Sequence, residues 1–190
     1  IDPEIRILSG GFESNPGWPH REFDNDNNHS LVFRVDYGAS SFFFSGDLEE
    51  DAIETLVAYY GGTNMLDADV YQVGHHGSYN ATTEDWLELI SPEIAVIPVG
   101  QWDYGKGTNN RFTTYWYGHP RRTTIKLLED YLPGGSKKRS ESIKPKLASG
   151  STKFRVKRIK KKIYATAWDE CVRIRATWDG KFRVDRHVKM

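Results

Sequence analysis

The order of predicted secondary structure between residues 30 and 99 restricts the folds that this chain can adopt. Apolar and polar residues alternate over residues 31–37, and a glycine turn then leads into an aromatic run, which predicts a hairpin. Ile53, Leu56 and Tyr60 share one face of a helix that ends at Gly61. The predicted elements are, in order, a hairpin at residues 30–44, this helix, a strand at residues 69–73, a helix from Thr82 or Thr83 to Pro92, and a strand at residues 94–99. This alternation predicts an α/β fold.

The C-terminal third continues with a helix and a final hairpin. The helix follows Pro120 and ends at Pro133, and Asp179 and Gly180 form a turn between two alternating runs. Further strands are predicted at residues 163–168, 171–178 and 181–184. We therefore expect a half domain at residues 1–136, a basic linker or insertion at residues 137–162, and a closing β-hairpin of the same domain at residues 163–190.

The composition excludes several classes of protein. A chain of 190 residues, of which 38% are hydrophobic, can bury one sizeable core. No run of about 18 apolar residues is present, so we predict no membrane span and a cytoplasmic location. Cys171 is the single cysteine, so neither an internal disulfide nor a cysteine-based zinc site can form. Any metal ligands in this chain are therefore His, Asp and Glu.

The net charge of zero hides an uneven distribution. Residues 1–136 carry 8 Lys/Arg and 21 Asp/Glu, residues 137–162 carry 12 and 1, and residues 163–190 carry 6 and 4. The first half of the basic segment is rich in Ser, Gly and Pro, which predicts a flexible linker. Two interpretations of its charge stay open: a solubilising loop, or an electrostatic guide for a polyanion such as nucleic acid.

Four potential metal ligands lie next to the predicted elements. Asp47 follows the hairpin, His75 and His76 follow the next strand between two glycines, and His119 precedes the third helix. Each also has a structural alternative. Asp47 could cap the helix that follows it, the histidine pair could bond to the backbone, and His119 could be an ordinary residue leading into a helix.

Combined at one edge of a sheet, these side chains would form a mixed nitrogen and oxygen ligand set suited to Zn, Mn or Fe. A bound dication lowers the pKa of water toward neutrality and offsets charge that develops on a phosphoryl or carbonyl oxygen. Asp47 suits a position between two metals because a carboxylate has two oxygens, whereas an imidazole offers one nitrogen. The pattern therefore predicts a hydrolytic metal site.

Five segments together resemble the successive motifs of a known family. They are NHSLVF (residues 28–33), FSGD (44–47), ADVYQVGHHGS (68–78), SPEIAVIPVG (91–100) and YGHP (117–120). This series resembles the metallo-β-lactamase superfamily, and within it the ComEC-like metallo-hydrolase domain. The resemblance implies a four-layer αββα sandwich, of which this chain carries the second half.

Carried over residue by residue, the resemblance makes Asp47 a bridging ligand and His119 the last ligand. One of His75 and His76 becomes a ligand or a substrate contact. The implied cofactor is a divalent metal, Zn or Mn, bound as two ions, and the implied catalytic residues are Asp47, His75 and His76.

The region ahead of the first matched segment departs from the family. Asp26 lies where many relatives place a histidine, with Asn28 and His29 close enough to compete, and we count Asp26 among the metal candidates. The superfamily's first metal motif, His-x-His-x-Asp-His or His-x-Asp-x-Asp-His, is absent from the sequence. We expect an upstream segment or another chain to supply it with the N-terminal half of the fold; the alternative is an inactive remnant.

The segment between Gly100 and His119 is aromatic and polar and borders the predicted site. It could be a substrate lip that stacks bases of single-stranded nucleic acid, or a packed loop that covers the sheet edge. Its rings are Trp102, Tyr104, Phe112, Tyr115 and Trp116. The basic candidates for nucleic-acid binding are Arg111, Arg121, Arg122, Lys157, Arg158, Lys160 and Lys161.

Three functions remain open. The leading hypothesis is a phosphodiesterase or nuclease that acts on DNA or a nucleotide substrate through metal-bound hydroxide, as the resemblance implies. The second is an ester, lactone or amide hydrolase, because one fold hosts many chemistries. The third is a non-catalytic module that binds nucleic acid or a protein.

Overall fold

The computed structural model describes residues 2–134 and 138–187. The strands in these ranges are β1 (Glu4–Ser9), β2 (Val32–Tyr37), β3 (Ser40–Phe44), β4 (Val70–Gln72), β5 (Ile94–Ile97), β6 (Lys138–Ile143), β7 (Lys146–Gly150), β8 (Lys153–Val156), β9 (Ile159–Lys161), β10 (Ile163–Ala165), β11 (Arg173–Ala176) and β12 (Phe182–Asp185). The helices are α1 (His20–Phe23), α2 (Glu50–Tyr60), α3 (Glu84–Ile90), α4 (Thr114–Tyr117), α5 (Arg122–Tyr131) and α6 (Thr166–Asp169). The predicted boundary between residues 136 and 137 lies outside the described residues.

Six of the described strands form one mixed sheet in the order β1-β2-β3-β4-β5-β10. The first three strands are antiparallel neighbours, and the predicted hairpin at residues 30–44 is present as β2 and β3. From β3 to β10 the neighbours are parallel. The carboxyl ends of these four strands therefore lie at one edge of the sheet, which is where ligands bind in open α/β sheets.

The two faces of the sheet are covered by different elements. On one face α2, α3 and α5 pack against strand residues such as Phe43 and Tyr71, around the fully buried Trp86. On the other face, Val70 and Tyr164 pack against apolar residues of β11 and β12. Neighbouring strand residues point to opposite faces of the sheet, so one short strand contributes side chains to the packing on both faces. This mixed α/β architecture confirms the predicted fold class.

The three predicted helices are present as α2, α3 and α5. Gly61 follows the last residue of α2 as its C-cap. At the start of α3, the Thr83 hydroxyl accepts a hydrogen bond from the Trp86 backbone N–H at 3.2 Å. Such a cap satisfies one of the N–H groups that a helix start leaves without a partner.

Residues 138–161 form four strands, which differs from the flexible linker predicted for the first half of residues 137–162. β7 pairs with β8 and β6 pairs with β9. Leu147 and Ile159 are fully buried in the main core, and the Ala148 N–H donates to the Pro120 carbonyl at 3.0 Å. The segment is ordered because these apolar side chains supply core area despite the surrounding charge.

A buried ion pair joins this segment to α6. Arg139 Nη2 lies 2.5 Å from Asp169 Oδ1, and both side chains are 1% exposed. Asp169 also accepts the Ala165 N–H at 3.1 Å, while Arg139 donates to the Ile163 carbonyl. These bonds hold α6 directly after β10, so the strand predicted at residues 163–168 ends at Ala165.

The hairpin predicted around Asp179 and Gly180 is present as β11 and β12, which pair in antiparallel fashion. Within the two described ranges, no helix combines the length and apolar character that a membrane crossing needs.

Candidate functional site

The carboxyl edge of the sheet brings the four predicted ligands into one region. Asp47 follows β3, His75 and His76 follow β4, and His119 precedes α5. The His75 N–H donates to the Gly46 carbonyl at 3.0 Å, which holds the loop after β4 against the loop after β3. The rings of His75 and His119 have centroids 5.6 Å apart.

Asp47 presents its carboxylate at the surface of this region. Its N–H donates to Ser30 Oγ at 3.2 Å, and its side chain is 41% exposed. Asp47 Oδ2 lies 3.7 Å from His76 Nε2. The alternative that Asp47 caps α2 is wrong, because the N-cap residue is Glu49 and no side chain caps that helix.

Glu49 is a second carboxylate that the sequence analysis did not single out. It accepts hydrogen bonds from the side-chain amides of Asn25 and Asn27, at 3.0 and 2.9 Å, and only 14% of its side chain is exposed. His75 Nδ1 lies 3.1 Å from Glu49 Oε1, although the two atoms do not have hydrogen-bonding geometry. We therefore treat this contact as electrostatic. The sequence feature that could have identified Glu49 is its position two residues after Asp47, in the same loop.

His75 and His76 adopt left-handed backbone conformations, with φ of 45° and 55°. Such a conformation costs a non-glycine residue roughly 1–2 kcal/mol, so the surrounding contacts must impose it. His76 Nδ1 lies 2.6 Å from the Pro98 carbonyl oxygen. Because a carbonyl only accepts, Nδ1 carries the hydrogen of this bond, and Nε2 lies on the side of Asp47. His76 thus bonds to the backbone and keeps a nitrogen directed toward the site.

His119 is buried, with 7% of its surface exposed, and its Nδ1 has no hydrogen-bond partner in the part of the chain that the structure describes. Burial, followed by the nearby His75, Arg121 and His76, lowers the pKa of His119 to about 3. The ring therefore stays neutral at pH 7, which is the protonation state in which a ring nitrogen can bind a metal. The ring of Tyr117 stacks on this imidazole.

The side chains at this site are of the types that bind a divalent metal, but too few of the described ones are placed to hold it. His75 and His119 each have a buried Nδ1 without a hydrogen-bond partner, and Asp47 adds oxygen donors nearby. Among residues 2–134 and 138–187, however, no group of three or more His, Cys, Asp or Glu side chains is placed to hold a metal ion. Residues 1, 135–137 and 188–190 contain none of these residue types. In this arrangement the described side chains do not form a complete set of metal ligands.

The fifth metal candidate, Asp26, begins a short 3-10 helix at Asp26–His29, and its role as a ligand stays a prediction. Asp26 is exposed, and its side chain makes no hydrogen bond or ion pair with the rest of the described chain. Its neighbours Asn25 and Asn27 contact Glu49 instead. His29 accepts the Phe12 N–H at Nδ1 and lies 2.7 Å from the Phe23 carbonyl at Nε2, so both of its nitrogens serve the local fold.

The segment before His119 lines a pocket of about 230 Å³ together with two of the imidazoles. The pocket is lined by His76, Val99, Gly100, Tyr104, Phe112, Thr113, Thr114, Tyr117 and His119. Trp102 and Tyr115 pack against Phe154 instead. Part of the segment thus packs as a loop, and part of it lines the pocket as a lip. Tyr117 belongs to the lip and was not among the rings singled out from the sequence.

The basic candidates fall into several environments. Arg121, Arg122 and Lys157 line one groove of about 800 Å³, next to the histidine region. In that groove Lys157 forms an ion pair with Glu129. The remaining candidates lie elsewhere: Arg111 above the Trp116 ring, Arg158 and Lys160 at exposed positions, and Lys161 bonded to the Leu132 carbonyl. The structure therefore gathers only part of the predicted set.

Comparison with known families gives one match. A family model described as Metallo-beta-lactamase superfamily matches residues 1–101. The matched residues include Asp47, His75 and His76, and end before His119.

Three curated proteins are similar to parts of this chain. ComE operon protein 3 of Bacillus subtilis is 33% identical over 103 residues, which are 54% of this chain and 11% of that protein. Recombination protein 2 of Haemophilus influenzae is 38% identical over 78 residues, 41% of this chain and 9% of that protein. Competence protein ComA of Neisseria gonorrhoeae is 40% identical over 76 residues, 40% of this chain and 11% of that protein. The chain thus spans about one tenth of the length of these relatives.

Proposed function

This chain belongs to the metallo-beta-lactamase superfamily, and from this premise we propose that it forms part of a metal-dependent phosphodiesterase or nuclease. Membership of this superfamily usually means a metal-dependent hydrolase. The observation that carries the proposal is the convergence of Asp47, His75, His76 and His119 at the carboxyl edge of the sheet. Among the described residues, the buried Nδ1 atoms of His75 and His119 have no hydrogen-bond partner, which supports a role beyond packing.

The residues of this chain would hold and orient the site. Asp47 and the three histidines are the donors, and Glu49 positions His75 through its charge while the amides of Asn25 and Asn27 hold its carboxylate. A divalent metal, Zn or Mn, would supply Lewis acidity and an activated water to a hydrolytic site of this kind. We propose that the remaining ligands come from residues outside this sequence, in the same polypeptide or in another chain.

We propose DNA or a nucleotide as the substrate class. Names among the relatives include a recombination protein and a competence protein, which favours a role connected with DNA. The groove of about 800 Å³ offers the guanidinium groups of Arg121 and Arg122 for phosphate contacts, while its lysines Lys126 and Lys157 are paired with Asp130 and Glu129. The cytoplasmic location predicted from the sequence stays a prediction.

The test compares Asp47→Asn with Asp67→Asn in the full-length protein, purified from a nuclease-deficient host. Asp67 is exposed and lies outside the site, so its variant controls for the loss of one surface carboxylate. We expect Asp47→Asn to lower phosphodiesterase kcat by more than the roughly 10–100-fold that loss of a residue supporting a ligand costs. The Asp67→Asn variant should retain the rate of the unmodified protein.

Two other measurements separate the alternatives. Esterase activity without DNA hydrolysis would contradict the phosphodiesterase proposal and favour the ester, lactone or amide hydrolase. DNA binding by a protein that hydrolyses neither substrate, and whose bound metal by mass spectrometry stays below one ion per chain, would favour the non-catalytic module.

A further inference from the structure

We propose that Tyr104, Phe112 and Tyr117, here called the aromatic rim, form a stacking site for an unpaired nucleobase at the mouth of the histidine region. The base would belong to a single strand or to a free nucleotide. The proposal deepens the proposed function and rests on it for the chemical class of the ligand. To the proposed function it adds the aromatic rim as the surface that selects unpaired over paired bases.

The rim rings are exposed although other rings of the same segment are packed. Tyr104, Phe112 and Tyr117 are 61%, 81% and 46% exposed. In contrast, the Trp102 and Tyr115 rings lie 5.7 and 6.0 Å from the Phe154 ring, between centroids. The segment therefore anchors itself with two rings and leaves three others facing solvent, where large apolar surface is uncommon without a ligand.

The rim is held in place before any ligand arrives. The Tyr115 N–H donates to the Tyr104 carbonyl at 3.1 Å, which ties the two ends of the lip together. The Phe112 N–H donates to Asn110 Oδ1 at 3.0 Å, and Tyr117 stacks on the buried His119. A loop backbone that is already ordered loses little conformational freedom on binding, so the contact area of its side chains converts into affinity more efficiently.

The position of the rim relates a bound base to the histidines. The pocket of about 230 Å³ has His76 and His119 on its wall and the three rim rings around it. A base on the rim would therefore hold its attached phosphate near the imidazoles. Every nucleobase has a flat aromatic face, so such stacking tolerates any base sequence. Bases inside a duplex are already stacked and paired, and exposing one costs free energy.

The test measures binding of the full-length protein to labelled short oligonucleotides by fluorescence anisotropy. The ligands are oligothymidylate, an abasic oligonucleotide with the same number of phosphates, and a duplex of equal length. We expect the abasic strand and the duplex to bind at least about 5-fold more weakly than oligothymidylate, because stacking of one base contributes this much or more. Competition by free dTMP distinguishes the source of the base: strong competition indicates a nucleotide, and weak competition indicates a strand.

Variants assign the effect to the rim. Phe112→Ala and Tyr104→Ala should weaken oligothymidylate binding by about 5- to 100-fold and leave abasic binding unchanged. Tyr59→Ala is the matched control, because Tyr59 is 76% exposed on α2 and lies outside the pocket. Equal losses on both strands, or no loss at all, would overturn the stacking site.

Hydrolysis, measured separately, tells the two proposals apart. Binding that depends on the rim without any hydrolysis means that only the proposed function fails. Hydrolysis that depends on Asp47 while the rim variants bind normally means that only the stacking site fails.

Discussion

The ring of Tyr117 lies parallel to the imidazole of His119, with an interplanar angle of 4° and a centroid separation of 5.8 Å. One ring is 46% exposed and the other is buried. Tyr117 therefore connects the exposed lip with the buried histidine, and a ligand that contacts Tyr117 would lie one ring away from a residue of the site.

The free energy of unfolding should depend on pH through His119. Burial lowers the pKa of His119 to about 3, whereas an unfolded histidine titrates near about 6.5. Between these values the unfolded chain binds a proton that the folded chain does not, so stability falls as pH decreases from about 6.5 toward 3, by up to about 1.4 kcal/mol per pH unit. Above this window the group contributes no pH dependence.

Urea denaturation at pH 7 and pH 5 checks this prediction. His119→Gln removes the titrating group, so its stability should decrease less between the two values than that of the unmodified protein. Equal decreases would mean that the low pKa of His119 is wrong.

Replacing Glu49 by glutamine should weaken both the fold and the site. The new amide keeps one acceptor oxygen but turns an N–H₂ donor toward the amide of either Asn25 or Asn27, so one of the two hydrogen bonds is lost, and the charge beside His75 is lost as well. We expect a loss of about 1–3 kcal/mol in the free energy of unfolding and a decrease in kcat of roughly 10–100-fold. Glu54→Gln, at an exposed position of α2, serves as control and should stay within about 0.5 kcal/mol. Similar behaviour of the two variants in urea would refute the role of Glu49.

Gly77→Ala should separate the histidine turn from the segment that carries His119. A Cβ at residue 77 would lie 2.7 Å from Pro120 Cβ, and its φ is +79°. Gly107→Ala is matched in backbone conformation, with φ +82°, but has nothing within 4 Å of the added Cβ. Both variants should lose roughly 1 kcal/mol from backbone strain, and only Gly77→Ala should lose a further 1–3 kcal/mol from the clash.

Thermal or urea unfolding of the two glycine variants measures the difference, and hydrolysis assays show whether the site moves. The contact with Pro120 would be unimportant if both variants were equally stable and equally active.

Arg139→Met should be the most damaging of the charge substitutions. It removes the nearer guanidinium group from the Asp169 carboxylate, which is 1% exposed, and leaves Arg186 Nη1 at 3.6 Å. Breaking a buried pair costs about 3–5 kcal/mol. Arg183→Met removes an exposed partner of Asp185 and should cost at most about 1 kcal/mol. Equilibrium unfolding in urea compares them, and a loss of less than 1 kcal/mol for Arg139→Met would show that the buried pair does not stabilise the fold.

Local patterns in the sequence were sufficient for the elements near the site. Ile53 and Leu56 mark the buried face of α2, and Thr83 starts α3, because periodicity and capping act within a few residues of the chain. The ends of β3 and β4 follow in the same way, which is why Asp47 and the histidine pair were found.

Features that depend on distant partners could not be predicted in this way. Glu49 gains its place from Asn25 and Asn27, which lie more than twenty residues earlier and carry no recognisable pattern. The strands at residues 138–161 depend on pairing with each other and on burial of Leu147 and Ile159, while their lysines indicate solvent. In this segment charged residues dominate the local sequence pattern, whereas the structure depends on packing between residues that are distant in the chain.

Because β10 pairs with β5 in parallel, the sheet stays incomplete until the C-terminal part of the chain has been synthesised. Ile163 and Ala165 lie beside Ala95 and Ile97, four residues that are almost completely buried. Before residue 165 has been synthesised, β5 is an edge strand of the sheet. Its apolar side chains are uncovered and its peptide groups are unpaired, and such an edge can pair with other chains. A chain that lacks β10 therefore exposes an edge strand that can pair with other chains, and the complete protein covers this edge.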